Sequence, residues 1–406
     1  MIFRNTLKDI LVSQKIPRVA QNEIPREQAG RLKLRGQFAL VLTGIRRCGK
    51  STLQAQLARD CPGFFYCNFE DPRLFGMAPE DFPAWLDILD EIAPAPAPVF
   101  LDEVQEVDGW ERLVRGLLDA GRKVCVTGSN ASPISAEFGR KLTGRHLSHS
   151  VWPFDYAEWL RFTRGRRGRE SLLAFLDEGG FPGFLAARDE LVLRELLVNV
   201  VQRDIIARHG LREHTHLTNL LLFLLASTGQ PLSLQRLTKS LEIPTVRQTT
   251  QFIGFLKDAY LLFAVPKFSH SFRSRVVAPP KYYCVDNGLR RANSPQTTPD
   301  IGRRLENAVA LELVRRGQAP AYAAERDAWE CDFIAGGAAI QVCVEINEDN
   351  YRREVTGLTE GMKLARCKKA LVLTLDTRDT ISIDGQKIEV LPAWEWLGSG
   401  MVSQKS

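Results

Sequence analysis

Apolar residues follow two alternating rhythms in the first third of the chain. Short continuous apolar runs, such as the Phe-Ala-Leu-Val-Leu within Gln37–Thr43, have the character of buried strands. Phe64–Phe69, Val99–Leu101 and Lys123–Thr127 repeat this type. Between them, Leu53, Leu57 and Ala58, then Trp110, Leu113, Val114, Leu117 and Leu118, recur at helical spacing. Repeated alternation of strand and helix predicts an α/β domain: a parallel sheet with helices on both faces. A strand candidate between the motif-bearing runs further predicts a sheet with one strand inserted between them.

The rhythm then changes. Asp155 is a good N-cap for a helix over Tyr156–Phe162, Gly179-Gly-Phe-Pro-Gly183 reads as a turn, and Arg194–Arg208 has long helical character. His214–Leu225, Leu232–Leu241 and Pro244–Asp258 predict three more helices, the last two separated by Glu242-Ile243 in the manner of a helix-turn-helix. Leu261–Val265 and Lys281–Cys284 are candidate wing strands. The last third predicts an amphipathic helix over Leu305–Leu313 and paired strands at Glu330–Ile334 and Ala339–Glu345. A strand at Lys369–Leu375, a hairpin turn at Asp384-Gly385 and a packing segment at Leu391-Pro-Ala-Trp394 follow. The expected domains are 1–165, a helical linker or lid at 166–213, a winged-helix-like domain at 214–278 and an α/β domain at 279–398.

Composition narrows the class. The 406 residues are 44% hydrophobic and 25% charged, which excludes a disordered or low-complexity chain. The longest apolar run, Leu220–Ala226, is far shorter than the ~20 residues of a membrane span. Met1–Ile10 carries no signal-peptide core, so a cytoplasmic protein without membrane contact is the expectation. Eight scattered cysteines form no CxxC pair or zinc-ligand spacing and read as reduced thiols. The net charge of +6 is compatible with nucleic acid but too small to establish it.

Chemistry enters after the first strand. Gly44-Ile45-Arg46-Arg47-Cys48-Gly49-Lys50-Ser51-Thr52 is a GxxxxGK[ST] phosphate-binding loop, set between a predicted strand and a predicted helix. Its glycines let backbone N–H groups converge on phosphate oxygens, and the helix N-terminus adds positive potential. The expected ligands are ATP and Mg²⁺, with Lys50 reaching the β- and γ-phosphates and Ser51 on the metal. Asp102 and Glu103 end the strand at Val99; Asp102 would hold Mg²⁺ and Glu103 would activate the attacking water. Ser129 or Asn130, at the tip of the following strand, could meet that water or the γ-phosphate, or simply form a turn.

These motifs together resemble a family of prokaryotic AAA-type ATPases whose second half is a domain of unknown function. Asn68-Phe-Glu-Asp-Pro-Arg-Leu74, Leu101-Asp-Glu-Val-Gln105 before Trp110, Thr127-Gly-Ser-Asn130, Leu142-Thr-Gly-Arg145 and Gln202-Arg-Asp-Ile-Ile206 carry the likeness over nearly the whole chain. It implies an AAA-type fold and ATP hydrolysis. It also suggests Arg145 as an arginine finger acting on a neighbouring subunit, which would require a homo-oligomer. The alternative for Arg145 is a surface or phosphate-sensing arginine. Arg73 is a second candidate near the nucleotide. Arg46 and Arg47 are open between phosphate contacts and acidic partners, and nothing marks Cys48 as a nucleophile.

Two readings concern the second half. Basic residues exceed acidic ones over Leu217–Pro280, and Arg247, Gln248 and Gln251 share one exposed face of the second predicted helix. That face suits the major groove of double-stranded DNA, while a lid or a protein partner is the equal alternative. Glu306, Asp332 and the paired strands resemble PD-(D/E)xK nucleases, but Gln341-Val-Cys343 stands where Glu-x-Lys belongs. The loss of a carboxylate and an ammonium argues against hydrolysis, unless Glu345, on the same expected strand face, compensates in part. A nucleotide-gated interaction module with negligible turnover, and less so an ATP-dependent nuclease, are the alternatives to an ATPase.

Overall fold

A computed structural model describes residues 2–16, 23–129, 144–212, 214–294, 300–383 and 386–399. The chain divides into two compact units, Met1–Trp152 and Pro153–Ser406.

The first unit is built on five parallel strands: β1 (Ala39–Thr43), β2 (Phe65–Asn68), β3 (Val99–Asp102), β4 (Val124–Gly128) and β5 (His146–Ser150). Their order is β2-β3-β4-β1-β5. A strand does separate the loop-bearing β1 from the acidic β3, but it is β4, and the chain-intervening β2 lies at the edge. Every residue of β1, β3 and β4 is buried, as strands covered on both faces require. On one face the helices Phe82–Ile92 and Trp110–Asp119 place Trp85, Ile88, Leu113 and Leu117 against Val41, Leu101 and Val126. Trp85 meets Phe65 edge to face at 5.2 Å. The N-terminal helix Arg4–Ser13 adds Leu7, Ile10 and Leu11 to the same core.

The second unit opens with helices. Asp155 and Glu158 form the capping box of Tyr156–Thr163. The expected long helix near Arg194 is an α-helix, Leu191–Asn199, that widens into a π-helix over Val200–Ala207. Apolar spacing over so short a stretch does not separate the two hydrogen-bond registers. Helices Thr215–Ala226, Leu234–Ser240 and Val246–Asp258 follow, then the antiparallel pair β6 (Leu262–Val265) and β7 (Lys281–Cys284). Ser233 and Thr245 cap the last two helices, and the Thr238 and Thr249 hydroxyls join them at 2.7 Å.

A six-stranded sheet closes the unit. Its strands are β8 (Ala321–Glu325), β9 (Trp329–Ala335), β10 (Ala338–Val342), β11 (Lys369–Thr374), β12 (Asp379–Ile383) and β13 (Gln386–Pro392), in the order β12-β13-β11-β10-β9-β8. Helix Glu348–Ala365 lies so close to β9 that a methyl group on Gly357 would sit 2.0 Å from the Glu330 carbonyl oxygen. The Asp384-Gly385 turn lies outside the described residues; the strands flanking it pair antiparallel. Among the described residues no helix is long and apolar enough to cross a membrane. All eight cysteines are free.

Candidate functional site

The loop after β1 forms a tight cradle. Gly44 lies against β5's continuation: an added Cβ would stand 2.1 Å from the Val151 carbonyl oxygen. Gly49 has φ 102°, where a side chain would be strained, and immediately precedes helix Lys50–Arg59. Arg26 buttresses the loop from beneath. Its guanidinium is buried, donating to the carbonyls of Cys48 at 2.8 Å and Trp152 at 2.7 Å. The Cys48 thiol donates to Val151 at 3.2 Å, and burial pushes its pKa up, so it is a packing residue.

Lys50 is buried at 4% exposure. Its ammonium donates to the loop carbonyls of Gly44 at 3.1 Å and Ile45 at 3.3 Å, and stands 3.7 Å from the Glu103 carboxylate. Burial opposes its charge, but the carboxylates of Glu103 and Asp102 outweigh that and raise its pKa. At the other side of this group, Asp102 is also buried. It accepts hydrogen bonds from Tyr66 at 3.0 Å and from Thr127. Desolvation still raises the Asp102 pKa. The Ser51–Asp102 pair is the donor set a hydrated magnesium ion uses beside a triphosphate.

Strand β3 ends at Asp102, so strand alternation does not aim Glu103. A left-handed backbone at φ 50°, ψ 51° does. The Glu103 N–H donates to Thr127 Oγ1 at 3.0 Å, and Gln105 donates to its carboxylate at 2.6 Å. An uncommon backbone held by a buried partner marks a position kept for its side chain's direction.

The other expected residues fall into three groups. Ser129 is buried at the end of β4, while Asn130 lies outside the described residues. Ile45 is buried, Ser51 and Thr52 are half-buried at the helix start, Arg47 is exposed, and Arg46 reaches Glu70 at 3.2 Å. Arg145 is not brought to the loop of its own chain. It precedes β5, whose amino end aligns with that of β1, and so stands at the end of the strands away from the loop, paired with Asp119. Arg73 is engaged by Asp71 and Ser13 rather than free to meet phosphate. Sequence reading missed Arg26, Tyr66, Thr127 and Gln105. Thr127 and Gln105 stood inside recognised motifs without a role being read for them; Arg26 and Tyr66 act through contacts that local patterning does not encode.

In the second unit, Arg247, Gln248 and Gln251 line a cleft of about 400 Å³ with Arg212. Glu306 and Asp332 line a larger cleft of about 1110 Å³, together with Gln341 and Cys343. Gln341 donates to Glu354 at 2.7 Å. Glu345 does not compensate: β10 stops at Val342, so the alternation that would have carried Glu345 inward is lost, and its side chain is exposed near Asn347.

The family model described as an AAA domain matches residues 37–160, and a domain of unknown function (DUF8612) matches residues 169–300. The chain is similar to an uncharacterized protein of Methanocaldococcus jannaschii, at 29% identity over 98% of this chain and 95% of that protein. It is also similar to an uncharacterized protein of Haemophilus influenzae, at 28% identity over 89% of this chain and 94% of that one. The first unit thus carries a P-loop AAA-type domain, the scaffold of nucleotide-binding ATPases.

Proposed function

We propose that the chain binds ATP with Mg²⁺ at the Gly44–Thr52 loop and hydrolyses it, coupling nucleotide state to DNA or a protein partner through its second half. The carrying observation is the Lys50–Glu103 pair at 3.7 Å, beside a buried Asp102 held by Tyr66 and Thr127. Ser51 and Asp102 would hold the metal, which supplies charge neutralisation at the phosphates. The loop N–H groups and the Lys50 ammonium bind the phosphate oxygens. Phosphate then competes with Glu103 for Lys50, so nucleotide binding frees the carboxylate that Gln105 keeps oriented. Freed, Glu103 takes a proton from the attacking water. A pure binding module does not need a carboxylate in that place, which favours turnover over nucleotide gating alone.

The test is phosphate release from Mg-ATP, with and without double-stranded DNA. Glu103→Gln keeps ATP binding and loses turnover by at least ~10². Turnover unchanged in that variant would remove the proposed base; ATP binding without turnover in wild type would leave the gated module. For DNA, a steep fall of affinity with salt, weakened by Arg247→Ala, supports the groove-reading face; salt-independent behaviour points to a protein partner.

A further inference from the structure

We propose that the Lys281 ammonium occupies the place between Glu306 and Asp332 that a divalent cation would otherwise take. The carboxylates of the larger cleft of the second unit are then served by the chain's own cation and bind no metal. The inference is independent of the nucleotide reading.

Three elements converge here. Helix Ile301–Arg315 supplies Glu306, β9 supplies Glu330 and Asp332, and β7 supplies Lys281. The Lys281 ammonium stands 2.6 Å from Glu330, 3.0 Å from Glu306 and 3.8 Å from Asp332, and 5.5 Å over the Tyr322 ring. Its side chain is only 1% exposed. Burial opposes its charge, yet the surrounding carboxylates outweigh that and hold its pKa above the ordinary lysine value. The carboxylates have further partners: Tyr283 donates to Glu306 at 2.6 Å, and the Val342 N–H to Asp332 at 2.8 Å.

A divalent ion would need oxygens at ~2.0–2.6 Å from this same space. It would have to expel an ammonium held by a strand whose four residues are all buried. At 1% exposure Lys281 also does not fit the part of a solvent-facing lysine that activates water. Gln341 adds no metal oxygen: its amide nitrogen is given to Glu354 and its oxygen faces the Asp332 N–H at 3.4 Å.

The experiment titrates Mn²⁺ into the full chain without nucleotide, followed by electron paramagnetic resonance and by thermal unfolding. Wild type and Asp332→Asn are expected to bind the same number of Mn²⁺ ions. Lys281→Met is expected to gain one further site and a metal-dependent rise in Tm of a few degrees, both lost in Lys281→Met with Asp332→Asn. A Mn²⁺ site in wild type that Asp332→Asn removes overturns the proposal, and so does a folded Lys281→Met that gains none. Should Lys281→Met fail to fold, the wild-type comparison with Asp332→Asn still decides: equal binding supports the proposal, unequal binding sinks it.

Discussion

Thr127 carries two contacts on one hydroxyl: it donates to buried Asp102 and accepts the Glu103 N–H at 3.0 Å. Thr127→Val keeps the shape and strands both partners in a dry interior, which costs about 2–4 kcal/mol. Thr127→Ser keeps the hydroxyl and should recover most of that; denaturant unfolding of the pair measures it, and equal loss in both would assign the effect to packing instead. Asp286 gives a second expectation at this scale. Burial raises its pKa to about 6, against the N–H bonds from Gly180 at 2.6 Å and Leu289 at 2.8 Å. The folded chain therefore holds this proton more tightly than the unfolded one. Below about pH 4 both are protonated and nothing is lost. As pH rises from about 4 to about 6, ionising the buried group costs stability, up to ~3 kcal/mol. The difference in unfolding free energy between wild type and Asp286→Asn should drift by this sense across that window, whatever its constant offset. A flat difference would mean that Asp286 does not titrate there.

Elements meet through surfaces whose tolerance differs from site to site. Gly357 lets helix Glu348–Ala365 rest on β9, and Gly361 faces Cys331, where a Cβ would stand 2.7 Å from the cysteine Cβ. Gly357→Ala must push the helix off the strand and should cost about 2–4 kcal/mol. Gly254, inside helix Val246–Asp258, has open space around its Cα. There Gly→Ala removes only backbone freedom in the unfolded chain and should stabilise by about 0.5–1 kcal/mol. Opposite signs in thermal unfolding of the two variants are the expected outcome. Both glycines sit in helical sequence of the same appearance; only the distance to the neighbouring backbone separates them.

For the whole molecule, Arg145 is the residue that tests whether copies of the chain act together. It lies at the amino ends of the strands, opposite the phosphate loop, and pairs with Asp119. A direct contact with nucleotide at this loop would therefore need a second copy. If it acts so, turnover per chain rises with protein concentration, and Arg145→Ala lowers the plateau by ~10³ or more. If it is a surface arginine, the variant keeps wild-type turnover at every concentration, and the exposed Asp119 pair contributes under ~1 kcal/mol.

Much of the first unit is legible along the chain because its signals are local. A glycine loop after an apolar strand, and two carboxylates ending another, are short segments whose physics is complete within about ten residues. Apolar periodicity likewise gave several helices and strands of the second half, but not helix Glu348–Ala365 or strand β8. What the chain could not state alone was which groups meet across distance. Arg26 beneath the loop, Tyr66 and Thr127 on Asp102, and Lys281 among Glu306, Glu330 and Asp332 join residues remote in sequence. The direction of Glu103 depended on a left-handed turn, and the exclusion of Glu345 on where β10 stops. Propensity and alternation act between near neighbours; burial, pairing of charge and strand ends are set by the packed whole, and there the tertiary structure alone decided.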